Sequence, residues 1–523
     1  MTTAAIEINP QFARALELLE HTASHCFITG KAGTGKSTLL QYFRDTTKKQ
    51  VAVLAPTGVA AVNIRGQTIH SFFRFKPDIT PERAGKLATT IRKREPKSLY
   101  TQLHTIVLDE ISMVRADLFE CIDLFLRVVR GNNIRAFGGV QLVLIGDLYQ
   151  LPPVVRSDER ELFHTIYPGP YFFNAPIYAQ LNVETIELEK IYRQKDEHFI
   201  RLLNAVRNNT ITPPDIDAFN VRYEPDFEPH GHAANYITLT AMNEPAQRLN
   251  AQRLAQLDGK MFTLRGETAG DFKPEALPTD VELKLKIGAQ VMLLNNDPQG
   301  RWVNGTIGTI EKILPREDIV VCTLPNGESV EVQPFMWELF HYELDAKKNH
   351  LTTETIGTFT QLPLKLAWAV TIHKSQGKTF DHVIIDVGRG TFATGQMYVA
   401  LSRARTLEGI VLRQRLRAQH VRVDYRIVKF LTGEQYARSE TACPLPEKMR
   451  VIATAIAEQQ ALAITYLKAS DVRSERVIEP REMGEMEFQG KPFFGLRGFC
   501  RDRHDERVFR VDRILELKVV AGD

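Results

Sequence analysis

Gly30-Lys-Ala-Gly33-Thr-Gly35-Lys36-Ser37 stands between an apolar run, Cys26-Phe-Ile-Thr29, and a helical run that begins Thr38-Leu-Leu40. Few short segments restrict a fold as tightly. Glycines at these positions let successive backbone N–H groups turn inward around phosphate oxygens, and the loop needs a strand before it and a helix after it. Lys36 is placed to reach the outer phosphates, and Ser37 offers a hydroxyl to Mg²⁺. Gly30, Gly33, Thr34, Gly35, Lys36, Ser37 and Thr38 are therefore the candidate nucleotide ligands. Val51-Ala-Val-Leu54, Thr105-Ile-Val-Leu108 and Leu142-Val-Leu-Ile145 read as further buried strands. Crossovers between such strands argue for a parallel sheet covered by helices. One helix, after Met113, shows the apolar stripe Leu118, Ile122, Phe125, Val129.

A chain of 523 residues exceeds one core, so about three to four domains are expected. The net charge of +3 permits a polyanionic partner without requiring one. Five scattered cysteines with no Cys-x-x-Cys spacing argue against a zinc site or a disulfide framework. The opening MTTAAIEINPQF has no apolar core of a signal peptide, and no apolar run approaches the roughly 18 residues a membrane span needs. The expectation is a cytoplasmic protein with no membrane partner.

The pattern divides the chain into a first α/β domain, 1–175, and a second, 176–430. Residues 74–100, with three prolines and Arg92-Lys-Arg94, interrupt the first. Residues 303–360 interrupt the second as an all-β piece, in which Asn326-Gly327 is a hairpin turn signal. A linker and helix, 431–460, then lead to a β-rich module, 461–523.

Two more strand ends carry chemistry. In a parallel sheet, ligands sit at the carboxyl ends of strands. Leu108-Asp109-Glu110 ends one strand, so Asp109 can hold Mg²⁺ and Glu110 can polarise a water. The stretch Phe137 to Val154 holds the other: the strand ends in Gly146-Asp147, and Gln150 and Pro152-Pro153 follow. A neutral Gln can hydrogen-bond a terminal phosphate and an attacking water without competing for the metal. Two prolines stiffen the loop behind it, so a small shift is transmitted. Gln150 reads as a γ-phosphate sensor.

Phe27 to Ser37, Ala55-Pro-Thr-Gly-Val-Ala-Ala61, Thr68-Ile-His-Ser-Phe72, Asp109-Glu-Ile-Ser-Met113 and Phe137 to Val154 recur in one order with Leu188-Glu-Lys-Ile-Tyr-Arg-Gln194, Ala369 to Thr379 and Tyr398 to Arg405. With these segments the chain resembles superfamily-one DNA helicases of the 5′-to-3′ branch, and within it the petite-integration-frequency family, over roughly residues 1–430. The resemblance implies two RecA-like motor domains with ATP in the cleft between them. It makes Arg193 and Arg403 arginine fingers supplied by the second domain, Gln11 the adenine-reading residue and Gly377 a further nucleotide contact. It makes Thr57, Gly58, His70, Phe72, Thr371, His373 and Lys374 contacts to single-stranded DNA. For Phe72 the competing reading is a core aromatic. The insertion 74–100 takes the place of a strand-separating wedge, and 303–360 that of a small β-barrel.

Ile464-Thr-Tyr466, Arg476, Pro480 and Phe509 to Ile514 resemble a WYL domain, although its name-giving tripeptide appears here as Phe494-Gly495-Leu496. Its arginines, Arg497 and Arg503 among them, read either as an accessory single-strand site with Phe493 or Phe494, or as a solvated, salt-bridged face. The combined expectation is an ATP- and Mg²⁺-dependent DNA helicase, monomeric and nucleoid-associated, acting on single strands and on forked or tailed duplexes. An RNA or RNA–DNA hybrid helicase and a ligand-sensing regulator working through the WYL module stay open as alternatives.

Overall fold

The computed structural model describes residues 7–229, 235–345, 350–388, 390, 393–468, 473–488 and 490–520. Residues 1–6, which carry half of the N-terminal segment read above, lie outside the described residues. Two compact units are present, one of residues 1–206 with 211–422 and one of 207–210 with 423–523.

The first unit is built around two parallel sheets. The larger contains β1 (His25–Gly30), β2 (Val51–Ala55), β3 (Gln67–Thr68), β4 (Thr105–Leu108), β5 (Gln141–Ile145) and β6 (Val183–Leu188), in the order β3-β2-β4-β5-β1-β6. Its central strands are unbroken apolar runs because helices cover both faces. Cys26, Ile28, Val53, Val107, Val143 and Ile145 pack with Leu18, Leu19, Leu39 and Phe43 on one side. On the other, the ring of Phe27 meets Phe172 edge-on, and Phe172 packs on Phe119 of the helix Ala116–Arg130. That helix buries the stripe Leu118, Ile122, Phe125 and Val129.

The expected boundary at residue 175 is too early. β6 pairs with β1 over six residues, so the first sheet continues to Leu188. Its sequence, Val-Glu-Thr-Ile-Glu-Leu, lies at the edge of the sheet, carries half-buried Glu184 and Glu187, and lacks the apolar run of its neighbours.

The second sheet is Ala369–Thr371, Ile237–Thr240, Val383–Asp386 and Ile410–Leu412, in that order and all parallel. The all-β insertion is wider than 303–360. Its strands begin at Phe262 and end at Leu366. Five form an antiparallel sheet around Leu285, Val291, Ile310, Val320 and Val332. A separate long hairpin, Phe335–Asp345 with His350–Gln361, reaches the first sheet, where the Tyr342 hydroxyl accepts from the Val53 N–H at 2.9 Å. Within 74–100, the helix Pro81–Arg94 starts at Thr80, whose side chain accepts from the Arg83 N–H, and it buries Ala84, Ala88 and Ile91.

In the second unit, helices Tyr425–Ala442 and Leu445–Ala457 accompany a five-stranded antiparallel sheet. Ile452 and Ala455 share its core with Leu462, Ile478, Leu496 and Ile514. The segment 431–460 is therefore part of a folded unit and not a linker. Its polar residues misled because two of them are satisfied internally: Lys448 Nζ donates to Ser439 Oγ at 2.7 Å, which donates to the Leu515 carbonyl at 2.6 Å. All five cysteines are free thiols. Among the described residues no helix is long and apolar enough to cross a membrane.

Candidate active site

The loop after β1 turns at Gly30 (φ +151°), Gly33 (φ +83°) and Gly35 (φ +88°), and Gly35 leads into the helix Lys36–Thr46. A Cβ on Gly33 would lie 2.5 Å from the Cβ of Arg193, so contact as well as conformation requires glycine there. Lys36 Nζ donates to the carbonyls of Gly30 (2.7 Å) and Lys31 (3.0 Å), which folds the ammonium into the loop. Buried Thr34 donates to the Lys31 carbonyl at 2.9 Å. Ser37 and Thr38 are exposed at the start of the helix. Phe12 packs against Gly35, and its neighbour Gln11 donates to Glu189 at 3.2 Å, beside the loop.

Asp109 and Glu110 follow the last residue of β4, Leu108. Glu110 sits in the left-handed region (φ +49°), which turns the chain sharply out of the sheet. Burial pushes both carboxyls up, Asp109 pushes Glu110 further, and Lys36 pulls both down. A magnesium ion takes few protein ligands and completes its octahedron with water and phosphate oxygens. An exposed Ser37 hydroxyl beside Lys36, with the Asp109 carboxylate, suits that demand. Among the described residues no cluster of three or more His, Cys, Asp and Glu forms a cage for a metal.

Gln150 is buried after β5. Its Nε2 donates to Asp147 Oδ2 at 3.3 Å. Across the cleft, the loop after Ala369–Thr371 supplies Gln376, whose Nε2 donates to Gln150 Oε1 (3.0 Å) and Glu110 Oε2 (3.3 Å). Gly395 of the second motor domain packs so closely that a Cβ there would lie 2.3 Å from the Gln150 carbonyl oxygen.

Both arginines lie at this junction. Arg193 lies on the loop after β6 of the first sheet, whereas the resemblance had it supplied by the second domain. Its guanidinium donates into the second domain, to the carbonyls of Ser402 (3.2 Å) and Gly377 (3.3 Å). Arg403 is fully buried, with donors on the carbonyls of Val399 (2.8 Å), Ser375 (3.4 Å) and Lys378 (3.1 Å) and on Ser402 Oγ (2.8 Å). Burial and then Arg193 push its guanidinium below the ordinary range, while Glu110 and Asp147 oppose this. Those acceptors are what let the charge stay buried.

Three residues at the junction escaped notice in the sequence, although the motif stretches contain them. They are Gln376, Tyr398, whose hydroxyl accepts from the Ala32 N–H at 3.1 Å, and Gln194, which donates to the carbonyls of Ser402 and Ala404. A polar residue inside an otherwise buried run was the available signal.

The expected DNA contacts divide. Thr57 and Lys374 are exposed, and His70, His373 and Gly58 are half-buried. Thr57 caps the helix Gly58–Asn63 by accepting from the Ala60 N–H, and Gly58 lies against Ala276. Thr371 is buried and accepts from the Lys374 N–H at 3.3 Å, so it shapes its loop. Phe72 does not stack bases. It is fully buried, meeting Phe73, Tyr100 and Tyr342 edge-on at 4.9 to 5.7 Å, so its ring faces are taken up by the core, as the competing reading has it. In the second unit Arg497 pairs with Glu482, Arg501 with Glu479, Arg507 with Asp505 and Arg510 with Asp512, at 2.7 to 3.2 Å. Arg503 is exposed. Of the two readings of this face, the salt-bridged one matches.

Residues 12–215 match the PIF1-like helicase family, 366–411 the UvrD-like helicase C-terminal domain and 447–519 the WYL domain. The ATP-dependent DNA helicase Pif1 of Bdellovibrio bacteriovorus is 32% identical over 426 residues, spanning 79% of this chain and 89% of the relative. Bacteroides Pif1 in complex with ADP-AlF4 is 34% identical, with a TM-score of 0.73 over 81% of this chain and 96% of that one. The same Bacteroides helicase bound to single-stranded DNA superposes with a TM-score of 0.56 at 34% identity and the same coverage.

Proposed function

The chain belongs to the PIF1-like helicase family, and from that premise we propose that it is an ATP-dependent DNA helicase. It moves 5′-to-3′ on single strands and opens forked or tailed duplexes. The observation that carries this reading is the convergence of Lys36, Glu110 and Gln150 from one sheet with Arg403 from the other, and Arg193 between them.

Each group has a task set by its position. Lys36 leaves its two carbonyls to meet the outer phosphates. Glu110, lifted by burial, takes a proton from the attacking water. Gln150 orients that water against the terminal phosphate. Arg193 and Arg403 are held on neutral carbonyls and release them when charge moves onto the phosphoryl oxygens, and such a finger contributes about 10³–10⁵ in rate. Ser37 and Asp109 are the residues that would hold Mg²⁺, which neutralises phosphate charge when bound.

Closure of the cleft couples this chemistry to movement, because the two domains grip the strand through Thr57 and His70 on one side and His373 and Lys374 on the other. The protein works as a monomer on chromosomal DNA in the cytoplasm. ATP turnover with and without oligo-dT, followed by unwinding of 5′-tailed against 3′-tailed duplexes, tests the reading. DNA-independent turnover, or a preference for the 3′ tail, contradicts it.

A further inference from the structure

The loop from Thr371 to Lys378 faces two sites at once. Exposed Lys374 belongs to the proposed strand grip. Two residues on, Gln376 reaches Glu110 and Gln150. The loop is tied by consecutive turns: Ser375 N–H to the Thr371 carbonyl (3.0 Å), Gln376 N–H to His373 (3.2 Å) and Lys378 N–H to Ser375 (3.0 Å). Displacement at residues 373–374 therefore carries Gln376 with it.

The bonding at its tip is saturated. Gln376 Nε2 has two hydrogens and two acceptors, Gln150 Oε1 at 3.0 Å and Glu110 Oε2 at 3.3 Å. Gln150 is engaged at both ends, accepting from Gln376 and donating to Asp147. Held at both ends, the side chain is fixed in one orientation, and turning it toward a phosphate or a water requires these bonds to break. One carboxylate oxygen of Glu110 is likewise occupied by a donor, and a hydrogen bond to a charged group is stronger than a neutral one.

We infer that Gln376 is a positioning residue that clamps Glu110 and Gln150 in a resting arrangement, and that single-stranded DNA at His373 and Lys374 withdraws it. This inference rests on the proposed reading of Glu110 and Gln150 as the hydrolytic pair. It assigns the link between strand binding and ATP turnover to one amide, carried on a stiff loop.

The test uses the full chain with Gln376→Ala, and with Gln376→Met, which keeps the side-chain volume and removes both donors. Steady-state kcat and KM for ATP are measured without DNA and at saturating oligo-dT. The DNA-free kcat is expected to rise about five- to thirtyfold, the factor that loss of one or two modest hydrogen bonds from the resting state gives. KM and the DNA-saturated kcat stay within about twofold, so the stimulation ratio falls by the factor the basal rate gains. A DNA-free rate unchanged in both variants overturns the clamp. So does a loss of rate with and without DNA, which would make Gln376 an aid to catalysis or to folding. If the wild-type protein itself shows no stimulation by oligo-dT, the helicase reading fails first. If it is stimulated and the variants' basal rate equals its own, only the clamp fails.

Discussion

Gly395→Ala tests the junction between the motor domains with the smallest possible change. Gly395 has φ +73° and precedes the helix Gln396–Leu401, all six residues of which are buried. An added Cβ would lie 2.3 Å from the Gln150 carbonyl oxygen and 2.4 Å from that of Tyr149. Carbon–oxygen contacts settle at about 3.3–3.6 Å, so the two segments must part by about 1 Å. The left-handed conformation adds about 1–2 kcal/mol for an alanine. A fully buried helix cannot yield alone, so the separation falls on the cleft, between Gln150 and the segment that carries Tyr398 and Arg403. A misplacement of about 1 Å at reacting groups costs about 10² in rate. The expected outcome is a kcat for ATP lowered about a hundredfold, with nucleotide affinity changed only a few-fold because the phosphate loop is untouched. The assay is steady-state ATP turnover with oligo-dT, alongside equilibrium binding of a fluorescent ATP analogue. Gly433→Ala is the control, since its Cβ would enter open space in the middle of a helix. Wild-type turnover in Gly395→Ala would refute the claim that hydrolysis needs this close approach.

Phe72→Ala should destabilise the first unit by about 3–5 kcal/mol, as removal of a buried aromatic does, while Phe72→Leu keeps single-strand affinity; urea melts and oligo-dT titrations check both. Asp215 closes a capping box with Thr212 at the start of the helix Pro213–Asn220. Burial pushes its carboxyl up, but the Thr212 and Arg201 hydrogen bonds outweigh that and hold it below the usual carboxylate range. Its contribution is therefore present above the unfolded pKa of about 3.9 and is lost as pH falls through the lower folded value. Asp215→Asn should cost about 1 kcal/mol at neutral pH and flatten the stability profile below about pH 4, measured by urea melts across pH. Replacing Arg497 and Arg503 together by alanine should leave the salt dependence of oligo-dT binding nearly unchanged, because Arg497 already pairs with Glu482; a shallower slope by about one per arginine would restore the accessory-site reading.

The phosphate loop was legible because its chemistry forces a local pattern: glycines at φ values other residues avoid, between a strand and a helix. Asp109, Glu110 and Gln150 were legible because strand ends in a parallel sheet share an edge. β6 was not, since its two glutamates and a threonine break up the apolar run that marks the central strands. Phe72 was read as a DNA contact because it lies in a motif stretch, but only its neighbours Tyr100 and Tyr342, distant in sequence, decide that it belongs to the core. Gln376 was hidden for the same reason, being 226 residues from Gln150 and 266 from Glu110. Periodicity reports what one element does with its own faces. It carries no signal for a single amide that spans two domains.

The most direct measurement is a structure of the protein with ADP, aluminium fluoride and oligo-dT bound. Arg193 and Arg403 are expected on the fluoride, off the carbonyls of Gly377, Ser402, Ser375 and Lys378, with Gln150 turned to the attacking water. Both guanidinium groups still seated on those carbonyls, with a filled phosphate loop, would contradict it.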